Sequence, residues 1–375
     1  MKRRDGRDIN PLLGTLEGEG AQQRVKPREL PDTPEARVHT RPTQSGAASP
    51  DAPSYYGQPV LKAPVWIWSV PLYFYVGGTA GAASVLGVAA ELAGGEKLRA
   101  LGHRCRWVGA AGDLVSAGLL IHDLGRPERF LYMLRVFRPT SPMSLGTWIL
   151  SGSGAFNGLA ALLSGRTGAL GRVGDVGDVA AVGGGLLGMP LAGYTAVLIT
   201  NTAVPLWQAV HKSLPLLFMA SSVAGAGSLL RLLPHRPEER RVLRVFSAVG
   251  LGAALLAERA VARDAGRVAE VARPLREGWT GALWTAARVC TAAALGVGLW
   301  PGRRRETTER VAAVLGTAGA LLTRFALFHA GKASSRDAQA TFQGQRQGLG
   351  AAEVVPGQTH ASDGRPLRFP LPVVR

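Results

Sequence analysis

The fold is decided by the segment His122-Asp123-Leu124-Gly125-Arg126-Pro127-Glu128-Arg129-Phe130, a dense run of charges between two apolar runs. The apolar run that precedes it extends over 107–121 and is interrupted only by Asp113 and Ser116. The run that follows begins at the sequence Ser-Pro-Met-Ser of 141–144 and continues to position 163. This pattern predicts two apolar helices connected by one charged loop that lies at a membrane surface. The loop is therefore the first candidate for a functional site.

The composition points to a membrane protein rather than to a soluble basic protein. The chain has 375 residues, a formal net charge of +17 and 46% hydrophobic residues. Its charges fall in short clusters between apolar stretches of roughly 18–24 residues, which is the length that crosses a hydrocarbon core. A nucleic-acid-binding protein would spread its basic residues along the chain. We therefore expect membrane lipid, and no nucleic acid, among its partners.

The apolar stretches predict an all-α integral membrane protein with about eight transmembrane helices. Their approximate limits are 68–91, 106–122, 143–164, 179–200, 213–233, 243–261, 280–300 and 310–330. The membrane domain is predicted to cover 61–331. A polar tail at 1–60, without the apolar core of a signal peptide, is expected to be extended or disordered. A second polar tail covers 332–375.

With eight spans, alternate loops lie on opposite membrane faces. One face is predicted to gather aromatic, histidine and charged residues at the span ends, namely Trp66, Trp68, His122, Asp123, Arg126, Glu128, Arg129, Asn201, Trp207, His211 and His329. Tryptophan and tyrosine clustered before the first span are typical of a membrane interface. Basic residues are shared almost equally between the two faces, so the positive-inside rule leaves the orientation open.

Two glycines of the first span, Gly77 and Gly81, are one helical turn apart. This small-xxx-small pattern favours close packing against a neighbouring helix. A phosphate-binding loop is disfavoured, because no strand precedes the glycines.

Four charged residues are predicted to lie inside spans, where a charge is costly and by default suggests function. Asp113 precedes His122 and lies about 13 Å deeper, given a helical rise of ~1.5 Å per residue. Arg288 and Arg324 lie in the seventh and eighth spans and are candidate partners for Asp113. Glu258 lies near the end of the sixth span. The four form either a proton path or buried structural pairs, and the sequence leaves both interpretations open.

The sequence argues against a redox metal in the chain itself. It contains two cysteines, Cys105 and Cys290, whereas an iron–sulfur cluster needs about four ligands. A membrane haem needs axial histidines at membrane depth, but the histidines near the spans lie at their ends. We therefore expect no haem, no iron–sulfur cluster and no metal site in this chain.

The charged segment at 122–130 resembles the signature of the NrfD/PsrC family when it is taken together with Phe137-Arg138-Pro139-Thr140-Ser141-Pro142-Met143-Ser144-Leu145-Gly146-Thr147-Trp148. Stretches 71–81, 188–198 and 330–337 are similar to the family's opening helix, its fourth helix and its usual ending. The likeness covers about 54–348. The N-terminal extension at 1–53 lies outside the family core, and the loop at 262–279 is unusually long and basic.

The resemblance implies a membrane subunit of a molybdoenzyme-type redox complex. Such a subunit has two packed four-helix bundles and a site for an exchangeable quinone or menaquinone at one membrane face. A ferredoxin-like iron–sulfur subunit docks over that site and relays electrons between the quinone and a molybdopterin oxidoreductase catalytic subunit. The chain alone would then bind quinone without turning it over.

A quinone site needs an apolar slot, a hydrogen-bond donor at each carbonyl and a route for protons. His122 and Asp123 are candidates for proton exchange, because imidazole titrates near physiological pH. By resemblance, Tyr194 is a candidate donor to a quinone oxygen. Residues expected at the quinone are Trp68, Tyr73, His122, Tyr194 and Asn201. The structural alternatives are a helix cap for His122 and Asp123, a backbone-bonded hydroxyl for Tyr194 and interface anchoring for the tryptophans.

The charged loop itself has two candidate roles. Arg126, Glu128 and Arg129 either pair with one another and with Asp123, which would order the loop, or form a docking surface with Arg138 for the iron–sulfur partner. Two other classes of function remain at this stage. An ion-translocating or transport module would use the intramembrane charges, and an inert anchor would need neither quinone nor transport.

Overall fold

A computed structural model describes residues 9–10, 15–16, 60–163, 171–300 and 306–344. The chain divides into two compact units, Met1–Ser54 and Tyr55–Arg375. In the first unit, β1 (Ile9–Asn10) and β2 (Thr15–Leu16) pair antiparallel, with Ile9 opposite Leu16. The rest of the predicted N-terminal tail, like the C-terminal tail beyond 344, lies outside the described residues.

The second unit is helical throughout its described part. Its long helices are α1 (Ser69–Gly94), α2 (Arg99–Leu124), α4 (Pro142–Leu163), α5 (Gly171–Thr200), α7 (Ser213–Leu230), α8 (Pro237–Ala265), α10 (Gly278–Leu299) and α11 (Glu306–Ser335). Its short helices are α3 (Glu128–Arg135), α6 (Pro205–Ala209), α9 (Ala269–Arg276) and α12 (Ala338–Gly344). A 3₁₀ turn at Gly95–Lys97 joins α1 to α2. The predicted all-α membrane architecture is confirmed.

Six of the long helices are long and apolar enough to cross a membrane, namely α1, α5, α7, α8, α10 and α11. The other two long helices also carry buried polar residues, namely Arg106 and Asp113 on α2 and Ser153 and Asn157 on α4. The described part of the chain therefore has eight long helices in the predicted places. Hydropathy supports six of them as membrane spans, so the count of eight crossings is not confirmed.

The eight long helices form two four-helix bundles. In the first bundle, α1 packs on α2 and α5, and α4 packs on the same two helices. In the second, α7 and α10 each pack on α8 and α11. The bundles meet where α7 contacts α1 and α5 and where α11 contacts α1, and Phe74 and Phe218 belong to the apolar core at this junction. Two bundles are what the family resemblance implied.

Glycine lets α1 approach its neighbours in the first bundle. A Cβ added to Gly81 would lie 2.5 Å from the carbonyl oxygen of Gly188 in α5, so the two backbones touch at this crossing. A Cβ on Gly77 would lie 3.2 Å from Oγ of Ser116 in α2. The interpretation of these glycines as helix-packing residues is confirmed.

The short helices occupy stretches that the sequence predicted as loops or tail. α3 lies between α2 and α4, α6 between α5 and α7, and α9 between α8 and α10, while α12 follows α11. α6, α9 and α12 contact one another. If all eight long helices cross, these four lie at the same ends of the bundles as His122, and we call this side the His122 face. The side that carries the 95–98 and 231–236 connections is called the opposite face.

Candidate functional site

The predicted site begins where α2 ends. Gly125 follows α2 with a φ of 68°, a left-handed conformation that favours glycine, and so stops the helix after His122 and Asp123. The His122 imidazole packs on Trp68, with ring centroids 5.7 Å apart. Asp123 Oδ1 accepts a hydrogen bond of 3.3 Å from the backbone N–H of Ile67. Two predicted quinone residues, His122 and Trp68, are thereby brought into contact, and both are exposed.

The segment before α1 is held in place by the second bundle. Trp66 stacks on Trp207 of α6 at 6.0 Å, and the Lys332 Nζ of α11 donates a hydrogen bond of 2.8 Å to the Trp66 carbonyl. Trp207 is fully buried and donates from its indole N–H to the Leu327 carbonyl at 2.9 Å. These contacts fix the position of Trp66 and so of the backbone that leads into α1. They thereby hold Trp68 against the His122 imidazole.

Tyr73 and Tyr194 lie deeper in the first bundle, 2% and 6% exposed respectively. The Tyr194 hydroxyl donates to the Pro142 carbonyl at the start of α4. Its ring lies against Gly146, where any Cβ would fall about 2 Å from the ring. Tyr194 thus has the backbone-bonded hydroxyl that the sequence analysis gave as its structural alternative. Its role as a donor to a quinone oxygen remains a prediction.

A buried polar network surrounds Asp113, which is 2% exposed. Its Oδ2 accepts hydrogen bonds from Ser153 Oγ at 2.7 Å and from Asn157 Nδ2 at 2.8 Å, both on α4. Its Oδ1 is buried without a hydrogen-bond partner, as is Oγ of Ser116 one turn along α2. The network joins α2 to α4. It leaves two polar oxygen atoms inside the first bundle, Asp113 Oδ1 and Ser116 Oγ, without a hydrogen-bond partner.

The other three intramembrane charges lie apart from Asp113. Glu258 of α8 faces Arg288 of α10, with Oε2 and Nε 3.8 Å apart. The Nη2 of Arg324 donates to the Phe218 carbonyl at 2.7 Å and to Ser222 Oγ at 2.8 Å. Within the described chain, neither arginine makes an ion pair with Asp113. The candidate pairing of Asp113 with Arg288 or Arg324 is therefore wrong, because the helices that carry them face other neighbours.

The charged loop is held by hydrogen bonds that involve backbone groups rather than by ion pairs between its own side chains. Arg126, Glu128 and Arg129 are exposed, and Arg129 reaches the Leu124 carbonyl at 3.4 Å. The backbone N–H of Arg138 donates to Ser144 Oγ at 3.1 Å, which ties the end of the loop to α4. No ion pair joins Asp123 to the loop arginines in the described structure.

Exposed apolar side chains accompany these charges. Leu131 and Tyr132 of α3 are 65% and 64% exposed, and Phe137 follows at 55%. Asn201 is also exposed directly after α5. Among the described residues, no hydrogen bond joins it to Trp68 or His122. The loop and α3 therefore present a mixed charged and apolar surface beside the Trp68–His122 pair.

Sequence reasoning missed several residues that shape this region. Ser153 and Asn157 are one helical turn apart, so their spacing could have indicated a polar stripe on α4 directed at a buried partner. Lys332 has no such signal, because its partner lies in a distant part of the chain. Trp207 was predicted on this face, but its contacts with Trp66 and with the Leu327 carbonyl were not. A further cavity of about 600 Å³ opens on this face between α9, α11 and α12 rather than at His122.

The fold and these contacts define a multi-pass membrane protein whose second unit, in its described part, is built from two four-helix bundles. The chain belongs to the family described as Polysulphide reductase, NrfD, whose model matches residues 58–334. The family consists of membrane subunits of molybdoenzyme complexes, which operate together with other redox subunits. The suspected family and the multi-pass membrane location are thereby confirmed. No curated protein matches the chain.

Proposed function

We propose that this chain exchanges electrons between the membrane quinone pool and an iron–sulfur partner subunit, which in turn serves a molybdopterin-type catalytic subunit. The observation that supports this most directly is the contact between Trp68 and His122 beside Asp123. An aromatic ring, a proton-exchanging group and a carboxylate are thus together at the end of an apolar helix, where a quinone ring would arrive from the lipid. Membership of the family supports the same function.

The proposed chemistry is balanced by groups that the chain and its partner supply. Oxidation of a quinol releases two electrons and two protons. In our proposal His122 accepts the two quinol protons one after the other, Asp123 assists the transfer of each proton to water, and Trp68 packs on the quinone ring. The electrons pass to the partner's iron–sulfur cluster, so that this chain itself need not carry a redox metal. Reduction of quinone follows the reverse path.

The partner is proposed to dock on α3 and the charged loop. Arg126, Glu128, Arg129 and Arg138 flank the exposed apolar residues of α3 and Phe137 in the sequence, and protein–protein interfaces combine an apolar centre with a polar rim. Docking at this place would put a cluster close to the Trp68–His122 pair. Short electron-transfer distances would follow from that closeness.

Ion translocation remains the second candidate, and one observation favours it. Asp113 Oδ1 and Ser116 Oγ are buried in the first bundle without hydrogen-bond partners, and water is one of the groups that satisfy such buried atoms. The remaining charges support it less, since Glu258, Arg288 and Arg324 lie on the second bundle's helices. We therefore keep the Asp113 network as a candidate proton route that accompanies quinone chemistry.

The test uses the assembled complex purified with its natural subunits. We expect His122→Ala to reduce quinol-coupled turnover by about 100-fold, the scale of a lost general acid–base group. Trp68→Leu should weaken the binding of a quinone analogue. His211→Ala is the matched control, because His211 is an exposed histidine whose Nδ1 lies 2.8 Å from the Gln208 carbonyl oxygen of its own turn.

Two results would contradict the proposal. Normal quinol-coupled activity in the His122→Ala complex would remove His122 from the mechanism. An assembly without an iron–sulfur subunit, in which quinone analogues neither bind nor inhibit, would remove the function as a whole. Substrate flux across vesicles by the isolated chain would favour the transport candidate instead.

A further inference from the structure

A groove of about 260 Å³ opens at the opposite face of the second bundle. It is formed by the residue that directly follows α7, the first half of α8 and the end of α10. Arg231, Arg241 and Arg244 line it on one side, and Leu295 and Leu299 line it on the other. The exposed Trp300, which follows α10 directly, marks this level as the membrane interface.

The lining of the groove is basic, because it contains three arginines. None of its lining residues is acidic. Arg241 is exposed, and the Nε of Arg244 is buried without a hydrogen-bond partner. Arg231 donates from Nη1 to Ser247 Oγ at 3.2 Å, which holds its guanidinium at the groove. On the neighbouring helix α11, Glu306 and Glu309 line a separate cavity that Arg231 also borders.

The apolar part of the groove continues toward the hydrocarbon core. Below the arginines, α8 exposes Val249 and Leu256, which are 63% and 66% exposed, and α10 exposes Val289 at 60%. Gly298 leaves room beside the arginines, because a Cβ there would meet only Nη1 of Arg231, at 4.0 Å. A ligand that fits both parts has an anionic head and long apolar chains.

We propose that this groove binds an anionic phospholipid, with its phosphate between Arg241 and Arg244 and its acyl chains along α8 and α10. Guanidinium groups bind phosphate oxygens through paired, charge-assisted hydrogen bonds. Basic pockets between transmembrane helices at one membrane face are suited to anionic lipid headgroups. A quinone lacks the negative charge, and an acidic peptide would not follow the lipid-facing surface below. The lipid would fasten α8 to α10 at the opposite face, independently of the chemistry proposed at the His122 face.

The test is native mass spectrometry of the purified full-length chain in detergent. The probes are dioleoylphosphatidylglycerol, dioleoylphosphatidylcholine and inorganic phosphate. We expect phosphatidylglycerol to bind at least tenfold more tightly than phosphatidylcholine, and the double variant Arg241→Gln/Arg244→Gln to weaken its binding by about tenfold or more. The control is Arg259→Gln/Arg263→Gln, which removes two exposed arginines from the other end of the same helix and should leave binding unchanged.

A second variant keeps the charges and fills the space. Gly298→Leu should displace the lipid, whereas Gly296→Leu should not, because Gly296 has open space around it and does not line the groove. Equal binding of the two lipids would overturn the proposal. It would also fail if both the arginine variant and Gly298→Leu bound phosphatidylglycerol normally, or if inorganic phosphate alone displaced the lipid at comparable concentration.

Discussion

At the scale of single residues, the most informative group is Asp113. Its depth could be predicted from its distance to the charged loop, but its partners could not. Ser153 and Asn157 are 40 and 44 positions away in sequence, and no local pattern links them to Asp113. The structure shows a carboxylate whose Oδ2 is fully engaged and whose Oδ1 is free of partners.

The Ser153→Ala variant tests how much this network stabilises the first bundle. Removing the 2.7 Å hydrogen bond to a buried carboxylate should lower the free energy of unfolding by about 1–3 kcal/mol. Ser151→Ala is the matched control on the same helix, because Ser151 is half-buried and takes no part in the network. It should change stability by less than about 0.5 kcal/mol. Thermal unfolding in detergent measures both, and equal shifts would contradict the assignment.

At the scale of elements, the crossing of α1 and α5 limits the size of the side chains between them. Gly81→Ala would place a methyl group 2.5 Å from the Gly188 carbonyl oxygen, and a backbone atom cannot move aside cheaply. We expect a loss of about 1–3 kcal/mol, as for other overpacked cores. Gly118→Ala serves as the control, because Gly118 is exposed on α2 and a Cβ there meets nothing within 4 Å.

The control should be neutral or should stabilise α2 by up to about 1 kcal/mol, since alanine favours helix more than glycine does. The measurement is again the midpoint of thermal unfolding. If Gly81→Ala unfolds at the same temperature as Gly118→Ala, α1 and α5 are not in backbone contact at this point.

The long helices could be predicted from sequence because a stretch of apolar residues that crosses a membrane is a strong local signal. The short helices could not. α9 contains Arg273, Pro274 and Arg276, which read as a basic loop, yet Val271 and Leu275 on its inner side are buried. An amphipathic pattern over so few residues is too short to distinguish from chance. For the same reason the sequence placed the charged loop correctly but missed α3 within it.

The candidate site was predicted in part. The closeness of Trp68 and His122 followed from two span ends that were assigned to one face. The engagement of Tyr194 with Pro142 could be offered only as an alternative, because a side-chain contact over 52 positions depends on how α4 and α5 pack.

At the scale of the whole molecule, Arg324 connects the two bundles. From α11 it reaches α7 through Phe218 and Ser222, and its Nε donates to the Phe74 carbonyl of α1 at 3.4 Å. Its guanidinium also lies 3.8 Å from the centre of the Phe218 ring. In the described structure no carboxylate pairs with it, so backbone carbonyls and one hydroxyl hold this buried group.

Arg324→Lys should therefore weaken the junction, because an ammonium lacks the planar fork that reaches two helices at once. We expect a loss of about 1.5–3 kcal/mol, the scale of a hydrogen bond to a charged group. Arg310→Lys is the control, since its 2.7 Å pair with Glu306 is exposed and contributes little. A thermal midpoint for Arg324→Lys that equals that of the control would exclude a role for Arg324 in joining the bundles.

The placement of α3, α6, α9 and α12 has a practical consequence for reconstitution. If all eight long helices cross, these helices lie on the His122 face, whereas Gly95–Lys97 is a short connection on the opposite face. In proteoliposomes with mixed insertion, a membrane-impermeant reagent aimed at α3 will then label only molecules whose His122 face points outward. The labelled fraction before and after opening the vesicles gives the sidedness of the preparation directly.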